Sequence, residues 1–338
     1  MNTTLSDRTT SLPGDAVRSA NPVWAGYMAD PFAMRTSGGV YYAYGTGRPD
    51  PDTGRRFPVL RSTDLASWEY VGGALEPRPE LPANADYWAP AVAERDGRFY
   101  LYYSASGGAG DDAGQRLRVA LADDPAGPFR DAGSDLLPGE GFTIDAHPFR
   151  DSRDGRWYLY FARDFLDGER PGTGLAVVPL ADDMVTLAGT PQTVLRASAD
   201  WQIYARNRDH YGKVWDAWHT LEGPCVVEHA GLYYCLYSGG CWQNEGYGVG
   251  CAVAEHPLGP WRELGEGPTV LRGAPARGVY GPGHNSVITG PDGETDFIVY
   301  HAWDAGRTAR RMCLDPLLWT ENGPRCDGPS PARNIKAG

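Results

Sequence analysis

The sequence predicts an all-β fold: a five-bladed β-propeller with four-stranded antiparallel blades around a central channel. Three observations carry this prediction: many aromatic and turn-forming residues, an aromatic strand signature that occurs five times, and a polar-headed segment before each occurrence. The 338 residues include 11 Trp, 19 Tyr, 44 Gly and 28 Pro, a composition typical of many short strands joined by tight turns. No window shows a helical period of useful length.

The aromatic signature predicts one strand of each blade. In four of the five copies it follows a Gly at a place typical of a hairpin turn, and in the fifth Gly293 comes slightly earlier. The copies are GGVYYAYGTG (38–47), DGRFYLYYSAS (96–106), DGRWYLYFARD (154–164), AGLYYCLYSGG (230–240) and TDFIVYHAWD (295–304). A repeat of this length indicates stacked structural units.

Two further strands follow the aromatic strand in four of the repeats. Each of these segments reads as a strand, a polar turn and a short outer strand. They are FPVLRSTDLASWEYVG (57–72), LRVALADDPAGPFRDAG (117–133), GLAVVPLADDMVTLAG (174–189) and YGVGCAVAEHPLGPWRELG (247–265). Four antiparallel strands, repeated about five times, are the pattern of a propeller.

The domain organisation predicted from the repeats is simple. Residues 1–20 are polar and are interpreted as a flexible N-terminal lead-in, and residues 21–338 as a single propeller domain. The spacing of the repeats is close to 60 residues, with an excess in the third unit. We interpret the extra segment, roughly 196–219, as a long loop that covers one face.

Charge and targeting signals exclude several classes of partner. The formal net charge of −12 argues against nucleic acid or an anionic membrane, because both require a basic face. The first 20 residues lack the apolar core of a secretory signal, and no stretch approaches transmembrane length. A cytoplasmic protein is expected, or a secreted one if a signal has been removed. The six Cys match no zinc spacing and are expected to be buried thiols rather than disulfides.

The polar heads of the predicted first strands carry the chemistry. They fall at Asp30, Trp88, Asp145, Glu222 and His284. First strands of propeller blades line the channel, so residues at matching ends converge on the axis. Three carboxylates at one point repel one another and are costly to bury, which indicates a functional site.

Converging acids have two common uses. One is to bind a hard cation through oxygen ligands, and the other is glycoside hydrolysis by a pair of carboxyl groups. The flanking aromatic residues favour a sugar, because their rings stack on the apolar faces of pyranose and furanose rings. Asp86, Asp164 and Asp216 also lie near strand heads or loops and could compete for these roles.

The motifs at the five heads resemble those of glycoside hydrolase family 43, five-bladed propellers that act on arabinose- and xylose-containing glycans. They occur in order along nearly the whole chain, from about Pro22 to Pro329. The motifs are ADP (29–31), WAP (88–90), IDAHPF (144–149), EGP (222–224) and GHNS (283–286).

The resemblance implies a role for each carboxylate. Asp30 would be the general base that activates water, and Glu222 the general acid that protonates the leaving oxygen. Asp145 would hold Glu222 in position and raise its pKa by like-charge repulsion. These roles suit an inverting mechanism, in which acid and base lie roughly 6.5–9.5 Å apart.

The resemblance also implies residues that bind the sugar. Trp88 is expected to form a wall of the terminal sugar subsite, with Phe32 and His147 in the same pocket. Either Arg310 or Arg311 would contact the sugar hydroxyls. Arg310 is preferred, because strand alternation turns only one of the two inward.

No cofactor is expected for the chemistry. His284 matches the axial His of the family, which in many members lies near a central metal ion, usually calcium. The resemblance therefore implies a possible structural Ca²⁺ in the channel near His284.

The substrate implied is a pentose-containing oligosaccharide or polysaccharide. The main hypothesis is an exo-α-L-arabinofuranosidase that acts on arabinan or arabinoxylan. The alternatives are a β-xylosidase, an endo-1,5-α-L-arabinanase and, in a different class, an inactive sugar-binding propeller.

Overall fold

A computed structural model of the chain describes residues 16–107, 114–330 and 333–336. Within these residues the regular structure consists of 25 β-strands and two 3-10 turns, Asp200–Gln202 and Pro275–Arg277. The prediction of an all-β fold is confirmed. Neither of the helical turns in this part of the chain has the length or apolar character needed to cross a membrane.

The two ends of the described chain pair with each other. Strand β1 (Ala16–Ser19) lies antiparallel to the last strand, β25 (Arg333–Lys336). Part of the predicted flexible lead-in is therefore a β-strand. The remainder of that predicted segment, residues 1–15, lies outside the described residues.

Two four-stranded antiparallel sheets come first, and both match the predicted four-strand unit. The first sheet contains β2 (Ala29–Arg35), β3 (Tyr41–Thr46), β4 (Arg56–Ser62) and β5 (Glu69–Leu75). The second contains β6 (Tyr87–Arg95), β7 (Arg98–Ala105), β8 (Arg116–Ala122) and β9 (Arg130–Asp131).

The next two predicted units are joined in one ten-stranded sheet. Its strands are β10 (Thr143–Arg150), β11 (Trp157–Phe165), β12 (Gly172–Pro179), β13 (Gln192–Leu195), β14 (Ile203–His210), β15 (Lys213–His229), β16 (Leu232–Gly239), β17 (Gly248–Ala254), β18 (Arg262–Glu263) and β19 (Leu271–Arg272). The junction is a short parallel pairing of β12 with β15, at Gly172 opposite His219 and Thr173 opposite Thr220.

The last predicted unit is a three-stranded sheet with a separate hairpin beside it. The sheet contains β20 (Tyr280–Thr289), β21 (Asp296–Trp303) and β22 (Arg310–Pro316), and the hairpin contains β23 (Leu318–Thr320) and β24 (Gly323–Arg325). The expected division into five separate four-stranded sheets is thus met in two sheets and not in the others.

The prediction of a long loop at 196–219 is wrong. Most of this segment is a β-hairpin, in which β14 pairs antiparallel with the first half of β15. Tyr211 and Gly212 form its two-residue turn, and both have positive φ angles, 53° and 71°. That conformation is typical of tight hairpin turns that contain Gly. Strand β15 then continues through Glu222 to His229.

The first strands of the repeats form a closed ring. β2 contacts β6, β6 contacts β10, β10 contacts β15, β15 contacts β20, and β20 contacts β2. An apolar cluster fills each space between consecutive sheets, as Phe57 and Tyr103 do between the first two sheets. Tyr41 and Val299 belong to the cluster that joins the last sheet to the first. All six cysteines lie in this buried core region, and none forms a disulfide within the described residues.

The junction between β12 and β15 depends on Gly172. Its φ is 145°, and a Cβ atom would overlap the carbonyl oxygen of His219. We expect Gly172→Ala to lower the free energy of unfolding in urea by about 2–4 kcal/mol, because backbone must move.

Gly97→Ala is the matched control. Gly97 also has a positive φ, 75°, but a Cβ there would meet no atom within 4 Å. Only the backbone cost, about 1–2 kcal/mol, should appear. Equal losses in the two variants would show that the junction does not depend on the absence of a side chain at Gly172.

Candidate active site

Each strand of the inner ring is interrupted at the same level by a β-bulge. One residue in each bulge has a positive φ angle: Asp30 (50°), Ala89 (47°), Asp145 (60°), Gly223 (56°) and His284 (46°). Bulges re-aim side chains, and a non-glycine residue in this conformation is strained unless the surrounding structure holds it. The ring therefore concentrates irregular backbone at one level of the channel.

This alignment corrects the register that the sequence predicts. Ala89 and Gly223, not Trp88 and Glu222, are structurally equivalent to Asp30. In ADP the second residue, Asp30, is both the bulge residue and the functional one. In WAP and EGP the bulge residue is again the second, but the functional side chain belongs to the first. Trp88 and Glu222 nevertheless project into the same cavity as Asp30.

The cavity above the bulges has a volume of about 310 Å³. It brings together six of the eight residues that the sequence singles out: Asp30, Trp88, Asp145, Glu222, His284 and Arg310. The remaining walls include Asp86, Phe142, Asp164, Tyr204, Arg208, His210, Trp218 and Trp242. The cavity therefore combines charged and aromatic side chains in its walls.

Asp30 lies among cationic and imidazole groups. Its Oδ1 is 3.2 Å from Arg310 Nη1, 3.4 Å from His301 Nδ1 and 3.5 Å from His284 Nδ1. Burial opposes its ionisation, but Arg310 and the two histidines together hold the pKa of Asp30 well below its usual range. Asp30 is therefore a carboxylate at neutral pH.

Arg310 supplies the permanent positive charge beside Asp30. Burial lowers the pKa of both neighbouring histidines, that of His301 to about 4, so both rings are neutral near pH 7. The backbone N–H of Asp30 donates to His301 Nδ1 at 3.1 Å, which requires a neutral nitrogen with a lone pair. Arg310 alone then balances the Asp30 charge.

Asp145 and Glu222 form a pair whose protonation differs from that of Asp30. Burial, followed by the charges of Glu222 and Asp30, holds the pKa of Asp145 well above its usual range. The carboxylate of Asp145 accepts the Gly223 N–H at 2.9 Å. Two coupled carboxyl groups titrate as a pair, and this one retains a proton when Asp30 has none. Such a separation of protonation states is what acid–base catalysis requires.

Glu222 is the member of the pair that faces the cavity. Asp145 is 5% exposed, whereas Glu222 is only partly buried. The hydroxyl of Tyr247 donates to Glu222 Oε1 at 2.6 Å. A ligand in the cavity would therefore meet Glu222 before Asp145.

The structure separates the two candidate arginines. Arg310 lines the cavity, stacks over Trp242 at 4.3 Å from the ring centroid and donates to the Tyr27 hydroxyl at 3.0 Å. Arg311 points away and pairs with Asp304 and the carbonyl oxygen of Ala25.

Phe32 and His147 do not line the main cavity, contrary to the sequence prediction. Both follow the bulge in their strands, where the chain has returned to regular pairing with Tyr44 and Tyr160. They lie on the other side of the carboxylates, beside a separate cavity of about 20 Å³. His147 Nε2 contacts the carbonyl oxygen of Val226 at 3.2 Å.

Sequence reasoning missed the walls that the hairpin supplies. Tyr204, Arg208, His210 and Trp218 all belong to the segment that was interpreted as a loop. The alternation of polar and aromatic residues around the Tyr-Gly turn was the available signal.

Of the three competing acids, Asp86 and Asp164 line the cavity, whereas Asp216 is exposed. Asp164 accepts hydrogen bonds from Thr173 and Tyr211, each at 2.8 Å. This ties the hairpin turn to strands β11 and β12 of the same sheet.

The small cavity below the bulges is the candidate place for the predicted Ca²⁺, because His284 lines it. Its 20 Å³ has room for one water-sized occupant, and both polar atoms of the buried Asn285 side chain there lack a hydrogen-bond partner among the described residues. Ca²⁺ takes six to eight oxygen ligands. In the described chain, no three His, Cys, Asp or Glu side chains are arranged to hold a metal ion. These side chains do not fit a directly ligated Ca²⁺, and the ion near His284 stays a prediction.

The sequence and the fold are similar to those of known proteins. The family model described as glycosyl hydrolases family 43 matches residues 19–324. A β-D-galactofuranosidase of Aspergillus niger is 31% identical over 90% of this chain and 84% of its own. An extracellular exo-α-(1→5)-L-arabinofuranosidase of Streptomyces avermitilis is 27% identical over 96% of this chain and 67% of its own. A crystal structure of a thermostable family-43 glycoside hydrolase matches with a TM-score of 0.78 and 31% identity, covering 95% of this chain and 99% of that one.

The raised pKa of Asp145 predicts a pH-dependent gain in stability for Asp145→Asn. A carboxyl whose pKa rises on folding stabilises the fold at low pH, and that stabilisation is lost as the pH rises from its unfolded value through its folded value. Asn cannot ionise but can still accept the Gly223 N–H. We expect the variant to be more stable than the parent by about 1–2 kcal/mol at pH 8, with the difference vanishing toward pH 4.

Thermal unfolding from pH 4 to pH 8 measures this effect. The exposed Asp216→Asn variant is the control, and its unfolding temperature should follow that of the parent throughout. An Asp145→Asn protein that is less stable than the parent at pH 8 would contradict the charge burial described above.

Proposed function

Because the chain belongs to glycosyl hydrolases family 43, we propose that it is an inverting exo-α-L-arabinofuranosidase. It would remove terminal α-L-arabinofuranosyl residues from arabinan or arabinoxylan oligosaccharides. The resemblance predicted from the motifs is confirmed, and with it the glycoside hydrolase class. The observation that carries the proposal is that one cavity holds an ionised Asp30 and the proton-retaining pair of Asp145 and Glu222.

The proposed reaction is a single displacement. Asp30 takes a proton from a water molecule, whose oxygen attacks the anomeric carbon. The bond from that carbon to the leaving oxygen breaks, and Glu222 gives its proton to this oxygen. Asp145 holds the Gly223 backbone and, through its proximity, disfavours early loss of the Glu222 proton. Arg310 keeps Asp30 ionised before the reaction.

Exo action is supported by the shape of the site. The hairpin residues Tyr204 and Trp218 stand on one side, and Trp88 and Trp242 are further aromatic walls. We propose that the five repeat units are the blades of a five-bladed propeller and that the hairpin inserted in the third blade closes its channel into a pocket. A pocket admits the end of a chain, whereas endo action requires an open groove.

A β-D-galactofuranoside is a second candidate substrate. The observation in its favour is the similarity to the galactofuranosidase at 31% identity. β-D-Galactofuranose and α-L-arabinofuranose share the arrangement of groups around the ring and differ by one exocyclic carbon. β-Xylosidase and endo-arabinanase activities remain the alternatives, and a cytoplasmic location stays a prediction.

Two substitutions test the assignment of base and acid. We expect Asp30→Asn to lower kcat/KM at least about 10³-fold on every substrate, because no group then activates water. Glu222→Gln should lose about 10²–10⁴-fold on arabino-oligosaccharides. With a dinitrophenyl arabinofuranoside, the loss in Glu222→Gln should largely disappear, since this leaving group needs no proton.

The assay uses nitrophenyl α-L-arabinofuranoside, β-D-xylopyranoside and β-D-galactofuranoside side by side, with Asp216→Asn as the control. Proton NMR of the first product identifies the anomer, and inversion predicts β-L-arabinofuranose. Full activity of either carboxylate variant would overturn the assignment of roles. A wild type that is inactive on all three substrates would favour a binding protein.

A further inference from the structure

A chain of buried hydrogen bonds ends on the proposed acid. The backbone N–H of His284 donates to Ser238 Oγ at 2.7 Å. Both the Ser238 hydroxyl and the Tyr247 ring lie against Gly283, and the hydroxyl of Tyr247 donates to Glu222 Oε1 at 2.6 Å. Ser238 and Tyr247 are 0% and 1% exposed, so no bulk water competes for these contacts.

The direction of this chain follows from its first member. A backbone amide can only donate, so Ser238 Oγ accepts there and keeps its own hydrogen for the neighbouring Tyr247 hydroxyl, an interaction that works to lower the pKa of Tyr247. An unpaired hydroxyl hydrogen at this depth would be costly. Tyr247 then donates to Glu222 Oε1. Burial and the nearby Glu222 raise the pKa of Tyr247 well above its usual range, so the hydroxyl keeps its hydrogen at working pH.

The Tyr247 ring is held on both sides. One face stacks on His301, with centroids 5.9 Å apart and an angle of 9° between the rings. On another side the ring lies against Gly283, where a Cβ atom would overlap it. His301 is the same ring that accepts the Asp30 N–H. The stacked rings therefore contact both residues of the proposed chemistry: His301 contacts Asp30, and Tyr247 contacts Glu222.

We propose that Tyr247 is a positioning residue that fixes the orientation of the Glu222 carboxyl group, so that its transferable proton is carried on Oε2. The inference rests on the proposed role of Glu222 as general acid. Because Oε1 accepts the Tyr247 hydrogen bond, it behaves as the carbonyl oxygen of the protonated acid. The proton then occupies the other oxygen, and Glu222 cannot rotate freely between donor and acceptor positions.

Tyr247→Phe tests this inference, because it keeps the ring that stacks on His301 and removes only the hydroxyl. We expect kcat on arabino-oligosaccharides to fall about 10- to 100-fold, a share of the 10²–10⁴-fold that general acid catalysis supplies, with little change in KM. On a dinitrophenyl arabinofuranoside the loss should be less than about 3-fold, because departure of that group needs no acid.

Tyr233→Phe is the matched control. Tyr233 is also buried, and its hydroxyl donates to Asp151 at 2.8 Å, away from the cavity. A merely structural effect would lower kcat on both substrates equally in either variant. Equal losses on good and poor leaving groups in Tyr247→Phe, or an unchanged kcat on oligosaccharides, would overturn the proposal.

A second measurement is independent of activity. The ¹³C signal of the Glu222 carboxyl carbon, assigned by its loss in Glu222→Gln, is followed through a pH titration. Its midpoint should move to higher pH in Tyr247→Phe, since a donor to the carboxylate is lost, and should not move in Tyr233→Phe. Asp145, Asp30, Arg310 and His284 face this site in all these proteins, so their charges are a common background. No shift in Tyr247→Phe contradicts the positioning role, even if the wild type hydrolyses none of the substrates and the proposed function fails.

Discussion

Three carboxyl groups share one largely buried cavity, and the free energy of burying their charge constrains the whole site. Ionising all three in one buried space is costly, because like charges repel and burial penalises each charge. The chain meets the constraint by asymmetry: Arg310 lies 3.2 Å from Asp30 and keeps it charged, whereas burial and the charges of Glu222 and Asp30 hold the pKa of Asp145 well above its usual range. The difference between base and acid thus follows from where one guanidinium group lies.

The backbone of the ring places these groups. Each inner strand has a bulge with one residue of positive φ, and at three of the five positions that residue is polar. These residues are Asp30, Asp145 and His284. Such strain persists only where the surroundings over-determine it. Here the surroundings are the aromatic and aliphatic clusters between consecutive sheets, which lock the strands on either side of each bulge. The packing that closes the ring therefore also supports the irregular backbone on which Asp30 and Asp145 stand.

The sequence predicts the regular features of this protein better than the irregular ones. The repeated aromatic runs predict the strands because strands have a simple period, and the motifs at their heads locate Asp30, Asp145 and Glu222 in one cavity. The bulge hides the true equivalence, since a one-residue insertion is invisible without coordinates and moves Trp88 and Glu222 out of register. Phe32 and His147, which the resemblance placed in the pocket, lie beside the small cavity instead.

Tyr247 shows a different limit of sequence reasoning. It lies at the start of a segment that fits the blade repeat fully, so nothing in its local pattern sets it apart from a packing residue. Its contact with Glu222 joins positions 25 residues apart, one on β15 and the other just before β17. Glu222 on β15 pairs with Ser238 on β16, and β17 pairs with the other edge of β16. This pairing brings Glu222, Ser238 and Tyr247 together.

The location of the cavity walls bears on substrate choice. The proposed catalytic groups come from the ring strands and from Arg310, whereas much of the wall comes from the hairpin of β14 and β15 and from Trp242, which follows β16. The two relatives described above differ in the sugar for which they are named. Since the chemistry at the anomeric carbon is the same for both furanosides, the difference must arise where the sugar meets the walls. Exchange of the hairpin should therefore change the sugar that is accepted while Asp30 stays ionised and the pKa of Asp145 stays raised, because the groups that shift these two pKa values are Arg310, the two histidines and the carboxyl groups themselves.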